Sequence, residues 1–269
     1  MKNIKDKTIG VVGLGHLGSS IVNSVLNKGF PVKNLLISYR GNHKTYLKAV
    51  EMGVAQCLTR TENLMTDSDI VILAARPQDF STIAEIPIRE ESLLISFMAA
   101  IQLNILEEKF GCSVCRAMCS GPETISAGRG AAVIFPYMPE AADLIELAGI
   151  KKFSISEEDE IDAFTAGICV PPILANISVS DEERNNALAV MSGRFPVYGD
   201  LSRWIERELL CGQYDDKSES LRNVSTKGGI SEAMITSLTN GSSFATAMDH
   251  GIRRCFEIRS EIHLKTAAH

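Results

Sequence analysis

A chain of 269 residues that is 45% apolar and 22% charged has the balance of a soluble globular protein, with room for one large domain or two ordinary ones. Its net charge of −6 and lack of any basic run argue against a nucleic-acid surface. No uninterrupted apolar stretch approaches bilayer length and no room precedes the first strand for a signal peptide, so the expectation is a cytoplasmic chain with no membrane partner.

Strand and helix then alternate at short spacing, the pattern of a parallel sheet. Thr8–Val12 reads as the first strand and His16–Lys28 as the helix after it. Asn34–Tyr39 is a second strand, Lys44–Met52 a helix and Gly53–Cys57 a short third strand. Asp69–Ala75, Leu93–Phe97 and Ser113–Ala117 follow as strands, with Leu103–Phe110 helical between the last two. Ala131–Phe135 and Lys152–Ile155 extend the sheet, and strands this apolar expect helices on both faces.

After Ile155 the texture changes. Ser156-Glu157-Glu158-Asp159-Glu160 reads as a helix start with carboxylates against its dipole. Helices are expected over Ile161–Gly167, Ile173–Val179, Glu182–Phe195, Ser202–Leu210 and Ser231–Arg259, with Asp215–Ser220 a solvated connector. The fold class is therefore α/β: an N-terminal Rossmann-type parallel sheet over residues 1–155, then an all-helical domain over 156–269.

The turn Gly13-Leu14-Gly15-His16-Leu17-Gly18 between first strand and first helix carries the chemistry. A G-x-G-x-x-G in this position is a dinucleotide fingerprint. Gly13 allows the tight turn, Gly15 lets a pyrophosphate approach the backbone, and Gly18 lets helix pack on strand. The helix aims free N–H groups and its positive end at the phosphates. His16 is a loop residue here, not a base, since no histidine has a spacing that suggests a catalytic pair.

An acidic residue about 20 positions past the glycines would favour NAD. The second strand instead ends Ser38-Tyr39-Arg40 with no carboxylate. Ser38 and Arg40 can hold a 2′-phosphate and Tyr39 can stack on adenine, so NADP(H) is preferred and NAD(H) stays open. The plainer alternative has Arg40 pointing into solvent. Seven cysteines are scattered along the chain. Cys112, Cys115 and Cys119 lack a fourth ligand at zinc spacing, so buried thiols are expected, with no metal and no disulfide.

Later motifs carry a family resemblance. Val71-Ile72-Leu73-Ala74-Ala75-Arg76-Pro77-Gln78 resembles the V-I-L-A-V-K-P-Q of pyrroline-5-carboxylate reductases. Ser96–Ile101 is similar to their S-x-x-A-G-I, Arg116-Ala117-Met118 to R-x-M-P-N, Asp162–Ala166 to D-x-x-T-A, and Asn223–Ser231 to N-V-x-S-P-G-G-T-T. The resemblance implies hydride delivery from NAD(P)H to the C=N carbon of a cyclic imine acid, giving proline or a related amine, hence a role in proline and amino-acid biosynthesis. It places Gly13, Gly15, His16, Leu17 and Gly18 at the pyrophosphate and Ser38 and Arg40 at the adenosine end. Ala74, Ala75, Arg76, Pro77 and Ala99 fall beside the nicotinamide. It puts the substrate carboxylate on the amides of Gly228 and Gly229, with Ser231 positioning the imine, and makes the helical domain a homodimer or larger assembly.

The substrate side departs from the pattern. Ala166-Gly167-Ile168-Cys169-Val170-Pro171-Pro172 replaces a small-residue loop, Cys119-Ser120 replaces the Pro-Asn turn, Ala100 replaces a glycine, and Lys227 replaces the proline before Gly-Gly. Lys227 either adds a charge contact or points to solvent. Lost hydroxyl donors should discriminate against the old substrate, so a non-catalytic or regulatory NADP-binding homologue stands as the alternative. An open-chain oxo-acid reductase is disfavoured, because no lysine occurs between Ile161 and Glu206 to serve as its base.

Overall fold

The computed structural model describes residues 3–211 and 228–266, with side chains to residue 261. The expected connector Asp215–Ser220 and the motif residues Asn223–Lys227 lie outside the described residues. Two compact units divide between Lys152 and Phe153.

The first unit is built on a sheet of eight strands: β1 (Ile9–Val12), β2 (Leu35–Ser38), β3 (Leu58–Thr59), β4 (Ile70–Leu73), β5 (Leu93–Ser96), β6 (Ser113–Cys119), β7 (Ala131–Phe135) and β8 (Lys151–Phe153). Their order is β3-β2-β1-β4-β5-β6-β7-β8. β1 lies parallel to both β2 and β4, pairing Val11 with Ile37 and Val12 with Leu73. Its four residues are all buried, as a central strand covered on both faces requires. Chain order reverses between β1 and β4, and in open α/β sheets ligands bind at that switch point, beyond the strands' carboxyl ends.

Three expectations need correction. The sheet is not parallel throughout, because β7 runs antiparallel to β6. The connection from Cys119 to Ala131 holds only the short helix α6 (Pro122–Ser126) and is too brief for a parallel crossover. The third strand is Leu58–Thr59 rather than Gly53–Cys57. Gly53, at φ +69°, closes the end of α2 (His43–Glu51), with Val54 N–H donating to the Ala49 carbonyl at 2.8 Å, and a 3-10 turn over Ala55–Cys57 intervenes. The long final helix is broken into α12 (Ile230–Thr239) and α13 (Phe244–Thr266). Gly241 at φ +82° ends α12, and the amide of Ser242 turns back onto the Ser237 carbonyl at 3.1 Å.

The remaining helices of the first unit are α1 (His16–Asn27), α3 (Thr61–Asp67), α4 (Phe80–Ala84), α5 (Leu103–Phe110) and α7 (Pro139–Leu147). The second unit comprises α8 (Glu160–Ile168), α9 (Val170–Leu174), α10 (Asp181–Arg194) and α11 (Tyr198–Cys211), followed by α12 and α13. The helix expected over Ile173–Val179 also needs correction: α9 starts earlier, because Pro171 and Pro172 fit a helix's first turn, and it ends at Leu174, leaving residues 175–179 outside it.

Two motif residues hold the second unit together. Asp162 of the D-x-x-T-A segment is buried in an ion pair with Arg259 of α13, and Arg259 also reaches Asp159 at 3.0 Å. A Cβ on Gly167 would lie 2.5 Å from Leu201, so a glycine lets α8 approach α11. Glu160 caps two segments at once, accepting the amides of Ser156 at 2.8 Å and Val197 at 3.1 Å. Among the described residues no helix is long and apolar enough to cross a membrane.

Candidate functional site

The three glycines of the first turn have three different reasons to be glycine. Gly13 sits at φ +103°, and a Cβ there would lie 2.7 Å from the backbone of Ala74 and Ala75. A Cβ on Gly18 would lie 2.0 Å from the Gly13 carbonyl oxygen. Around Gly15, by contrast, nothing lies within 4 Å of the Cβ position. Gly15 is also the N-cap of α1, and no side chain caps that helix. No side chain therefore caps the first amides of α1, and the space beside Gly15 is open, which suits an anion at a helix start. Leu17 and His16 form its first turn, and Ser19 fastens the turn by donating its hydroxyl to the Gly15 carbonyl at 2.7 Å.

Beside β1, the end of β2 brings in the adenosine-side candidates. The Ser38 hydroxyl shares a hydrogen bond with Thr61 at 2.6 Å, so its orientation is fixed from α3. Arg40 is exposed, and the first turn of α2 next to it carries His43 and Lys44 with no acid. Cations at a helix start oppose its dipole, and an anion there would offset them. Lys48 reaches from α2 to the Gly15 carbonyl at 3.2 Å. No motif spacing in the sequence marks Lys48, because only the packing of α2 brings it to the glycine turn.

On the other side of β1, Ala74 and Ala75 leave β4 directly against Gly13, and the Ala74 amide donates to Val12 at 2.9 Å. Pro77 is half-buried at the start of a 3-10 turn, while Arg76 is exposed and pairs with Asp79 at 3.5 Å. Ala99 follows β5, whose Ser96 pairs with Leu73 of β4. Ala100, in place of the resemblance's glycine, adopts φ +67°. The glycine turn, the β2 end and the β4 and β5 ends thus gather at the switch point of the sheet. The lost Pro-Asn turn is replaced by Ser120, which accepts the Ala131 amide at 3.0 Å and bonds Thr124 at 2.6 Å.

The second unit has its own glycine turn. Gly228, at φ +73°, and Gly229, the N-cap, open α12, and Ser231 is buried in its first turn. Gly228 and Gly229 border an open groove of about 370 Å³ between α12 and α13, and Ser231 is not part of its lining. Burial pushes the Cys169 thiol up, and the Ser231 hydroxyl bonded to it pulls it partly back, so the altered loop meets the predicted positioning residue. Glu232 accepts the Gly228 amide at 2.6 Å, and Arg254 donates Nε to the Gly228 carbonyl at 2.8 Å. The sequence reading singled out neither. Glu232 was legible as a capping residue at the third helical position; Arg254 lies on the next helix and carried no local signal. Cys115 and Cys119 lie in β6, where burial pushes both thiols up to about 12. Among the described residues no three His, Cys, Asp or Glu side chains gather as a metal site.

A Rossmann-type sheet with a glycine turn at its switch point, followed by a helical part, defines a class: the dinucleotide-binding α/β proteins with a helical C-terminal unit. Residues 8–100 match the family described as NADP oxidoreductase, coenzyme F420-dependent. The chain is 31% identical over 172 residues to pyrroline-5-carboxylate reductase 2 of Bacillus subtilis, spanning 60% of either protein. Its fold is that of the Plasmodium falciparum pyrroline carboxylate reductase solved with NADP bound, at 17% identity and a TM-score of 0.58 over 95% of this chain and 98% of that one. The Streptococcus pyogenes 1-pyrroline-5-carboxylate reductase aligns at 20% identity and a TM-score of 0.57, over 92% and 97% of the two chains. The resemblance read from the motifs therefore holds in sequence and in fold.

Proposed function

We propose that the chain is an NADPH-dependent reductase of a small cyclic imine carboxylate, of the 1-pyrroline-5-carboxylate type or a related imine. The observation that carries this reading is the open, uncapped Gly15 at the start of α1, flanked by two glycines that cannot accept a Cβ. Bound there, the dinucleotide supplies a hydride for the C=N carbon. The first amides of α1 hold its pyrophosphate. Arg40, with Lys44 beside it, supports NADP over NAD by offering charge to a 2′-phosphate. Ala74 and Ala75, small and set against Gly13, leave room for a nicotinamide at the β4 end. Gly228, Gly229 and Ser231 position the substrate. Hydride transfer relies on such positioning more than on a strong acid or base, and water can supply the imine's proton.

The proposal includes a place in proline or related amino-acid biosynthesis, a cytoplasmic location and a homodimer built through the helical unit. NADPH consumption with 1-pyrroline-5-carboxylate and a panel of cyclic imines, beside a cofactor titration, tests the activity. Turnover of at least one imine is expected. Tight NADPH binding with no turnover on any imine favours the non-catalytic reading, for which the rebuilt Cys169 and Ser120 segments are the motive.

A further inference from the structure

The first glycine turn holds one donor more than its own structure uses. The Gly15 carbonyl accepts the Ser19 amide at 3.1 Å, as the first bond of α1, and the Ser19 hydroxyl at 2.7 Å. Those two donors already match the two lone pairs of a carbonyl oxygen. The Lys48 ammonium nevertheless reaches the same oxygen at 3.2 Å, from the second turn of α2. Lys48 is half-buried, and among the described residues no carboxylate pairs with it. An ammonium carries three N–H donors, so two stay available to another partner.

The surroundings oppose this cation as they stand. It lies at the start of α1, the positive end of that helix. No acid occurs in α1 or in the segment Ser38–Asn42, and the first turns of α1 and α2 add His16, His43 and Lys44. The one acid of α2 is Glu51 at its last position, and Asp79 beyond β4 is paired with Arg76. A half-buried charge without a counter-ion, set beside a positive helix end, is stabilised when an anion arrives between them.

We propose that Lys48 is a cofactor-binding residue that holds the dinucleotide's pyrophosphate from α2. The glycine fingerprint supplies only backbone donors, and Lys48 adds a full charge to them. This rests on the reading of the Gly13–Gly18 turn as the dinucleotide site, and it divides that site by charge. Arg40 serves the 2′-phosphate, whereas Lys48 serves the group that NADPH and NADH share.

The test titrates NADPH, NADH, ADP-ribose and adenosine 2′-monophosphate into the full chain, the last two by competition against NADPH fluorescence. Lys48→Met should lower the affinity for the first three, which carry a pyrophosphate, by at least about tenfold. Adenosine 2′-monophosphate lacks a pyrophosphate and should bind as it does to the wild type. Lys48→Arg keeps the charge and should recover most of the loss. The unfolding midpoint of Lys48→Met should match the wild type, since Ser19 still satisfies the Gly15 carbonyl. An unchanged affinity for ADP-ribose overturns the proposal. So does an equal loss for adenosine 2′-monophosphate, which would make Lys48 only a tie between α2 and the turn. If the wild type binds none of the four ligands, the reading of the turn as a dinucleotide site fails, and this inference fails with it.

Discussion

The molecule has two glycine turns that open a helix, and they differ in what fills them. At Gly15 nothing lies within 4 Å of the Cβ position and no side chain caps α1. At Gly228 a glutamate occupies the amide and an arginine the carbonyl. Both turns present the positive end of a helix. No side chain caps the first amides of either helix, but at the second the amide and carbonyl of the residue before the N-cap are already taken, so the same local motif is open in one unit and partly closed in the other.

The largest effects should come from adding a single methyl group to the open turn. Gly18→Ala forces a Cβ to within 2.0 Å of the Gly13 carbonyl oxygen, an overlap with backbone that cannot move aside. Urea unfolding should show a loss of about 3 kcal/mol or more. Gly15→Ala meets no atom of the protein, so its unfolding midpoint should match the wild type. Its NADPH affinity, followed by cofactor fluorescence, should nevertheless fall by at least about tenfold, since the methyl group takes the space in which a pyrophosphate meets the backbone. Equal stability losses in the two variants would break the contrast between a packing glycine and a ligand glycine.

Arg40→Ala tests the adenosine end of the same cradle at a smaller scale. A charge-assisted contact is worth about 1.5–3 kcal/mol, so NADPH affinity should drop about 10- to 100-fold while NADH affinity changes little. Equal losses for both cofactors in parallel titrations would remove the 2′-phosphate assignment. Lys48 is the useful control. It touches the Gly15 carbonyl at 3.2 Å, on the pyrophosphate side, so Lys48→Met should weaken both cofactors alike.

How much of this was legible in the sequence follows from where each constraint lives. Gly13 to Gly18 could be read directly, because the requirement for glycine is a backbone requirement that acts within a few residues. The sheet was readable through its apolar runs, but β3 was misplaced. Gly53 and Val54 belong to the closure of α2, and a two-residue strand has no period to recognise. The break between α12 and α13 was signalled by Asn240-Gly241 and outweighed by the helical texture on either side. The Gly228 closure was invisible as a unit. Glu232 is four residues away, but Arg254 comes from a different helix, and Glu257 and Glu261 set its charge balance from further along that helix. The glycine turn at Gly13 to Gly18 is local and legible; Gly228, Gly229 and Ser231 are named only through the resemblance, and the Arg254 contact on their turn is assembled by packing.

A third turn sharpens the comparison with the smallest effect. Ala100 takes the place of a glycine in the segment after β5, and it adopts φ +67°, where an L side chain is crowded by its own backbone. That conformation costs a non-glycine residue about 1–2 kcal/mol. Glycine would remove the strain but add unfolded-state entropy of about 0.5–1 kcal/mol. Ala100→Gly should therefore stabilise the protein by a net amount of about 0.5–1 kcal/mol, seen as a rise in the urea midpoint with an unchanged slope. Because Ala99 and Ala100 adjoin the proposed nicotinamide end, the variant's NADPH affinity is the second readout. An unchanged affinity means that the alanine is a tolerated strain, filled in where the resemblance has glycine. A weakened affinity means that the strained backbone itself holds the β5 end in its binding position, and that this turn, like the one at Gly15, is shaped for the ligand.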